Sequence, residues 1–343
     1  MTTPVAPLVR PGRVRGTGHE VLIPAPADLV YGLVADATRW PSLLGPSVHV
    51  EPLDFDGRTE RLRMWALVGG RVHGWYSRRV LSPAAGRVDF RQESPTPAAG
   101  VVSGSWTVEP GPSALTRLTL ALDVAADGGG VGTETARGAV DDFARAMLED
   151  VRRAAVDRSA TGGVSSPLSL SFEDSVRVNG PAELVLDFLY RVGDWPGVVP
   201  HVEAVRVVED APGVQRVSVD GSTPGGPRHT SESVRMCFPH AGRIVFKQTV
   251  PSPLLRSCRG EWSVVPDERG ATVVVRHGAV LDERGVGRVL GEGAGPREAR
   301  AHVRAVLGDA GVATMNLAKR HAESAVRMLG VRPLPSQGAD RAR

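Results

Sequence analysis

The sequence predicts an α+β chain of two tandem domains, each a curved antiparallel sheet wrapped around a long C-terminal helix with an internal pocket. Three observations predict this: a repeat that spans half the chain, one element order in both copies, and strand faces that mix apolar with polar side chains.

Sliding the second half over the first by 155 residues places VLIPAPADLVYGLVADATRWP (21 to 41) on VRVNGPAELVLDFLYRVGDWP (176 to 196). With one residue of adjustment, SRRVLSPAAGRVDFRQESPTP (77 to 97) aligns with SVRMCFPHAGRIVFKQTVPSP (233 to 253), and GSWTVEP with GEWSVVP. Arg79, Gly86, Phe90, Gln92 and Trp106 recur as Arg235, Gly242, Phe246, Gln248 and Trp262. A period this long exceeds the roughly 20 to 50 residues of solenoid repeats and means duplicated domains. The 343 residues, 41% hydrophobic, suffice for two cores. The expected divisions are a leader at 1–17, a first domain at 18–157, a Ser/Gly/Thr-rich linker at 158–170, a second domain at 171–330 and a tail at 331–343.

Each copy opens with a short strand, then Pro26 or Pro181 at a helix start, where the missing N–H is harmless. A Trp-Pro break follows, then about six strands separated by Gly/Pro turns, and one long helix. In the first copy that helix carries Val140, Phe143, Met147 and Val151 at helical spacing. The second begins at Pro296, with Gly308 and Gly311 marking a place for a kink. Hairpin-linked strands followed by one helix imply an antiparallel sheet with the helix on one face. A strongly curved sheet leaves a cavity between the two.

Strand alternation names the side chains that face it. Val88, Phe90 and Gln92 share a face, as do Ile244, Phe246 and Gln248. Val102, Gly104, Trp106 and Val108 share another, with Cys258, Gly260, Trp262 and Val264 as counterparts. A buried unpaired amide costs on the order of 1 to 3 kcal/mol, so each Gln requires either a ligand or a backbone partner on the long helix. The strand RVHGWYSRRVL carries polar groups on both faces, and periodicity alone leaves its register open. The repeat favours His73, Trp75, Ser77 and Arg79 inward, because His229, Ser233 and Arg235 recur at that spacing while Ser231 replaces Trp75.

These motifs, APADLVYGLVADATRWP, WYSRRV, FRQESP and GSWTVEP, each with a counterpart in the second copy, resemble the di-domain aromatase/cyclases of bacterial type II polyketide synthases, in the START-like helix-grip superfamily. The resemblance implies an intramolecular aldol closure, then dehydration, of a poly-β-ketone tethered through phosphopantetheine to an acyl carrier protein. It implies joining carbon 7 to carbon 12 of a chain already reduced at one ketone, alongside a minimal polyketide synthase and a ketoreductase. By resemblance Arg79, and by repeat Arg235, are the residues on which activity depends. Aldol closure develops negative charge on oxygen, which a fixed guanidinium stabilises. Arginine keeps its proton, so His73, His229 or water held by Ser77, Ser233 or the glutamines is expected to move it. Trp75, Trp106, Trp262, Phe90 and Phe246, with Gln92 and Gln248, are the expected substrate contacts; Trp40 and Trp195 are expected in the core. A START-like carrier or chaperone without chemistry is the competing reading.

Other signals are weaker. The net charge of +3 is spread over scattered arginines, only Lys247 and Lys319 being lysines, so nucleic acid is not an expected partner. Two cysteines, Cys237 and Cys258, form neither a disulfide framework nor a zinc set, and no cofactor or metal is expected. No stretch reaches ~18 consecutive apolar residues and the N-terminus lacks an apolar signal core, so the expected setting is the cytoplasm, away from membranes. The stretch Gly285 to Pro296, GVGRVLGEGAGP, lacks nucleotide-fingerprint spacing and reads as a mobile pocket lid.

Overall fold

A computed structural model describes residues 15–94, 101–125, 131–160, 168–200, 202–222 and 228–330. The chain divides into two compact units, with the main boundary after Ser169. Most of the expected leader and linker, and all of the expected tail, lie outside the described residues.

In the first unit, β1 (Arg15–Ile23) precedes α1 (Ala27–Ala35) and the short α2 (Trp40–Leu43). Six strands follow: β2 (Ser47–Phe55), β3 (Thr59–Val68), β4 (Arg71–Ser82), β5 (Arg87–Gln92), β6 (Val101–Pro110) and β7 (Thr116–Ala125). The unit ends in α3 (Val131–Ala160). The strands form one seven-stranded sheet in the order β1-β7-β6-β5-β4-β3-β2, and every neighbouring pair is antiparallel.

The second unit repeats this with β8 (Ser169–Val178), α4 (Ala182–Tyr190), β9 (Val202–Ala211), β10 (Val214–Ser222), β11 (Arg228–Phe238), β12 (Arg243–Val250), β13 (Leu255–Asp267) and β14 (Gly270–Leu281). Its sheet order is β8-β14-β13-β12-β11-β10-β9. Two helices close it, α5 (Glu283–Leu290) and α6 (Pro296–Gly330).

Local chemistry explains the matching elements. Pro26 and Pro181, with φ of −59° and −60°, set the direction into α1 and α4 where no intrahelical donor is needed. The β4–β5 turn requires Gly86, at φ 56°, because a Cβ there would lie 2.3 Å from the Val108 carbonyl oxygen. Gly242 repeats this at φ 60° and 2.5 Å from Val264 O. The core of the first unit lies between sheet and helix, where Val30, Leu33 and Val34 of α1 and Met147 and Val151 of α3 are buried with Leu118 and Leu120 of β7.

One expectation is corrected in part: the Gly-rich stretch begins as helix, Glu283–Leu290, with Gly285 and Val286 buried. Gly285 is glycine because the Pro253 carbonyl oxygen would lie 2.1 Å from a Cβ, so its role is close packing. α6 is one helix from Pro296 to Gly330. Gly311 lets it approach β14, where a Cβ would meet Val275 at 3.1 Å and His277 at 3.4 Å.

Candidate active site

Between the first sheet and α3 lies a cavity partly open to solvent, with about 910 Å³ of empty space when its open mouth is included. Its walls are largely apolar and aromatic, and include Trp40, Trp75, Phe90, Trp106 and Phe143. The register across β3 and β4 pairs Glu60 with Arg79, Leu62 with Ser77, Met64 with Trp75 and Ala66 with His73. His73, Trp75, Ser77 and Arg79 all line the cavity, as do Phe90 and Gln92 of β5 and Trp106 of β6. Trp40, expected in the core, belongs to both core and cavity wall. Its indole donates to Leu33 O at 3.0 Å, which fixes the ring.

Arg79 is only 1% exposed. Its Nη2 donates to the Val34 carbonyl at 2.6 Å, its guanidinium carbon lies 5.0 Å from the Trp40 ring centroid, and Nη1 lies 2.8 Å from Glu60 Oε1. That last approach pairs the charges without a directed hydrogen bond, so Arg79 Nε and Nη1 are buried donors with no bonded acceptor. Burial pushes the guanidinium down to about 10, opposed by the charges of Glu60, Tyr31 and Asp36. It remains the protonated partner near neutral pH. Burial raises the Glu60 carboxyl, with Arg79 pulling it down and Asp36 pushing it up. Gln92 is buried, and its Oε1 accepts from the Val102 backbone N–H at 3.3 Å. The backbone partner is thus a neighbouring strand and not the helix.

The second unit keeps the arginine and changes its surroundings. Arg235 donates to Leu189 O, to Tyr190 O at 3.5 Å and to Gln215 Oε1 at 3.1 Å, and its guanidinium carbon lies 5.8 Å from the Trp195 ring centroid. Phe246 packs on Trp262 at 6.4 Å between centroids, and Gln248 Oε1 is buried without a hydrogen-bond partner. Ser233 pairs with Gln248 across β11 and β12, and the side chain of His229 lies outside the described residues. Burial holds the Cys258 thiol up at about 12 and the Cys237 thiol at about 11, which suits packing and not nucleophilic work.

Sequence reasoning missed Glu60 and His277. His277 is buried between Phe172 and Phe246, with ring centroids 5.0 and 5.8 Å away, and both ring nitrogens lack a hydrogen-bond partner. The alternation Ala271, Val273, Val275 along β14 continues to His277 and would have found it.

A duplicated sheet-on-helix domain with a buried arginine on the fourth strand, and an aromatic-walled cavity in the first copy, defines a two-domain helix-grip protein. Comparison with known proteins supports this and gives the chemistry. The family described as polyketide cyclase/dehydrase and lipid transport matches residues 17–161 and, through a second profile of the same description, 178–301. The actinorhodin polyketide synthase bifunctional cyclase/dehydratase of Streptomyces coelicolor is 36% identical over 334 residues, covering 92% of this chain and 98% of that one. The granaticin counterpart of Streptomyces violaceoruber is 33% identical over 325 residues, covering 92% and 95%. Among solved structures, the di-domain aromatase/cyclase BexL of the BE-7585A pathway superposes with a TM-score of 0.75 at 38% identity, covering 93% of this chain and all of that one. StfQ of the steffimycin pathway gives 0.75 at 31%, covering 91% and 99%. The chain belongs to the polyketide cyclase/dehydratase family and is an enzyme of aromatic polyketide biosynthesis.

Proposed function

We propose that the first-unit cavity closes and dehydrates the first ring of a ketoreduced poly-β-ketone, held by its acyl carrier protein, by joining carbon 7 to carbon 12. The enzyme then works in the cytoplasm beside the minimal synthase and ketoreductase. The observation that carries this reading is Arg79, a buried guanidinium in an otherwise largely apolar cavity with two unbonded N–H groups. In the aldol step a methylene of the chain gives up a proton and its carbon attacks a ketone carbon of the same chain. Negative charge collects on the ketone oxygen, and N–H donors preorganised in a dry site are worth most at that stage. Arg79 fills this role. His73, or water held by Ser77, moves the proton from carbon to oxygen and later to the departing hydroxide. The aromatic walls fold the chain so that its reacting carbons meet, which is itself worth several kcal/mol.

The test is the product profile of a minimal aromatic synthase and ketoreductase with and without the enzyme. A shift from misfolded shunt products to one dehydrated, aromatic first-ring product supports the reading. A profile unchanged by the enzyme moves the assignment to a carrier of the polyketide.

A further inference from the structure

The two repeats anchor their arginines alike and charge them differently. Val34 and Leu189, the carbonyls that accept from Arg79 and Arg235, are 155 residues apart, as are Trp40 and Trp195, which lie against the two guanidinium groups. At the same offset Glu60 becomes Gln215 and Asp36 becomes Arg191. Glu60 stands opposite Arg79 in the β3–β4 register, and Gln215 opposite Arg235 in the β10–β11 register. Among the described residues the hydrogen-bond acceptors of Arg235 are all neutral, whereas Arg79 has a carboxylate 2.8 Å away. Glu60 is itself only 14% exposed and is not part of the cavity wall, so it acts on ligands through Arg79.

We propose that Glu60 is a specificity-determining, positioning residue of the first cavity: it cancels the Arg79 charge, so that the cavity takes uncharged flat polyketides and rejects anionic ones. This deepens the reading of that cavity as the polyketide site and rests on it. An anion entering a largely apolar cavity loses its hydration, and a full charge carried into the cavity is offset far better by a net positive wall than by a neutral pair. A guanidinium paired with a carboxylate offers little net charge. Arg79 still lines the cavity, and a guanidinium donates hydrogen bonds that suit a ketone oxygen. The stretch of ketones in a thioester-tethered chain is uncharged, whereas the chain released by hydrolysis ends in a carboxylate. The pair therefore favours the tethered chain over the released acid.

The experiment uses the full chain near neutral pH, with 2-naphthol as an uncharged bicyclic probe followed by quenching of tryptophan fluorescence. Two competitors of nearly the same shape are compared, the anion 2-naphthalenesulfonate and the neutral 2-naphthalenesulfonamide. In wild type the sulfonamide displaces the probe and the sulfonate is at least about tenfold poorer. Glu60→Gln, which copies the second unit, brings the sulfonate level with or ahead of the sulfonamide; Glu60→Asp keeps the wild-type order. The second unit is common to all three chains, so differences between them belong to the first. A competitor ratio unchanged in Glu60→Gln overturns the proposal while leaving the cavity's assignment standing. If that variant fails to fold, wild type decides alone, because equal displacement by both competitors overturns it. Absence of naphthol binding in wild type overturns the assignment of the cavity and the proposal with it.

Discussion

Arg79 Nη2 donates to the carbonyl of Val34 at 2.6 Å, in the last turn of α1. The last carbonyls of a helix lack intrahelical donors and carry the negative end of its dipole. The arginine on β4 thus closes the end of α1 and is held in place by it. The second unit repeats the device with Arg235 and Leu189 in the last turn of α4. A residue placed this way is both a structural tie and a chemical group, and its variants must separate the two roles.

Arg79→Lys is expected to keep the fold and lose the chemistry. A lysine retains a charge for Glu60, yet its ammonium lacks the planar fork that reaches Val34 O, Glu60 and the Trp40 ring together. Loss of such a preorganised donor lowers turnover by about a hundredfold. The yield of the aromatic first-ring product, measured against an unchanged circular dichroism spectrum, checks this. Near-wild-type yield would make Arg79 a tie and nothing more.

Gly104 sets how closely β6 packs against its neighbours. A Cβ there would lie 2.1 Å from the Ala121 carbonyl oxygen and 2.9 Å from Cζ of Phe90, and the backbone oxygen has no room to yield. Gly104→Ala is therefore expected to destabilise the first unit by roughly 2 kcal/mol and to turn Phe90 in the cavity wall. Gly18→Ala, which meets nothing within 4 Å, is the matched control, expected within about 0.5 kcal/mol of wild type. Hydrogen exchange of the β6 and β7 amides reads the effect where a two-domain melt would blur it.

Much of this arrangement was legible in the sequence because duplication supplied a second reading of each strand. The β4 register, ambiguous by alternation alone, was settled by the recurrence of Arg79 as Arg235, and both side chains are buried inward. Glu60 was legible and missed, since alternation with the buried Leu62 and Met64 puts it on the inner face of β3, away from Arg61 and Arg63. The helix α5 was hidden by composition. Its glycines read as loop, and the backbone contact of Gly285 with Pro253 that requires one of them is long-range.

Gln92 spends its carbonyl oxygen on the Val102 N–H at 3.3 Å, a bond between adjacent strands at the cavity wall. Gln92→Leu leaves that buried donor unpaired and is expected to cost about 1 to 3 kcal/mol, whereas Gln92→Glu retains an acceptor. Denaturant unfolding of both variants tests this, with exchange of the Val102 amide as the local report. Equal stability of the leucine variant and wild type would show that Val102 N–H finds another acceptor.

His277 is expected to make the second unit acid-sensitive. Burial holds its imidazole down at about 4 against 6.5 in an exposed chain, with Asp174 pulling up and Arg304 pushing down. The folded state thus binds its proton less readily than the unfolded state. The stability contributed by neutral His277 is fully present above the unfolded value and is lost as pH falls from there through the folded one. At about pH 5 the loss is roughly 2 kcal/mol relative to neutral pH. The first unit has Leu122 in the corresponding place: Ala121 O faces Gly104 as Arg276 O faces Gly260, one residue earlier in each strand. His277→Leu is therefore an accommodated substitution that removes the titration and is expected to flatten the pH dependence. Exchange of the β13 and β14 amides at neutral and mildly acidic pH measures it. A wild-type second unit as stable at acidic as at neutral pH would show that His277 is not held neutral by the fold.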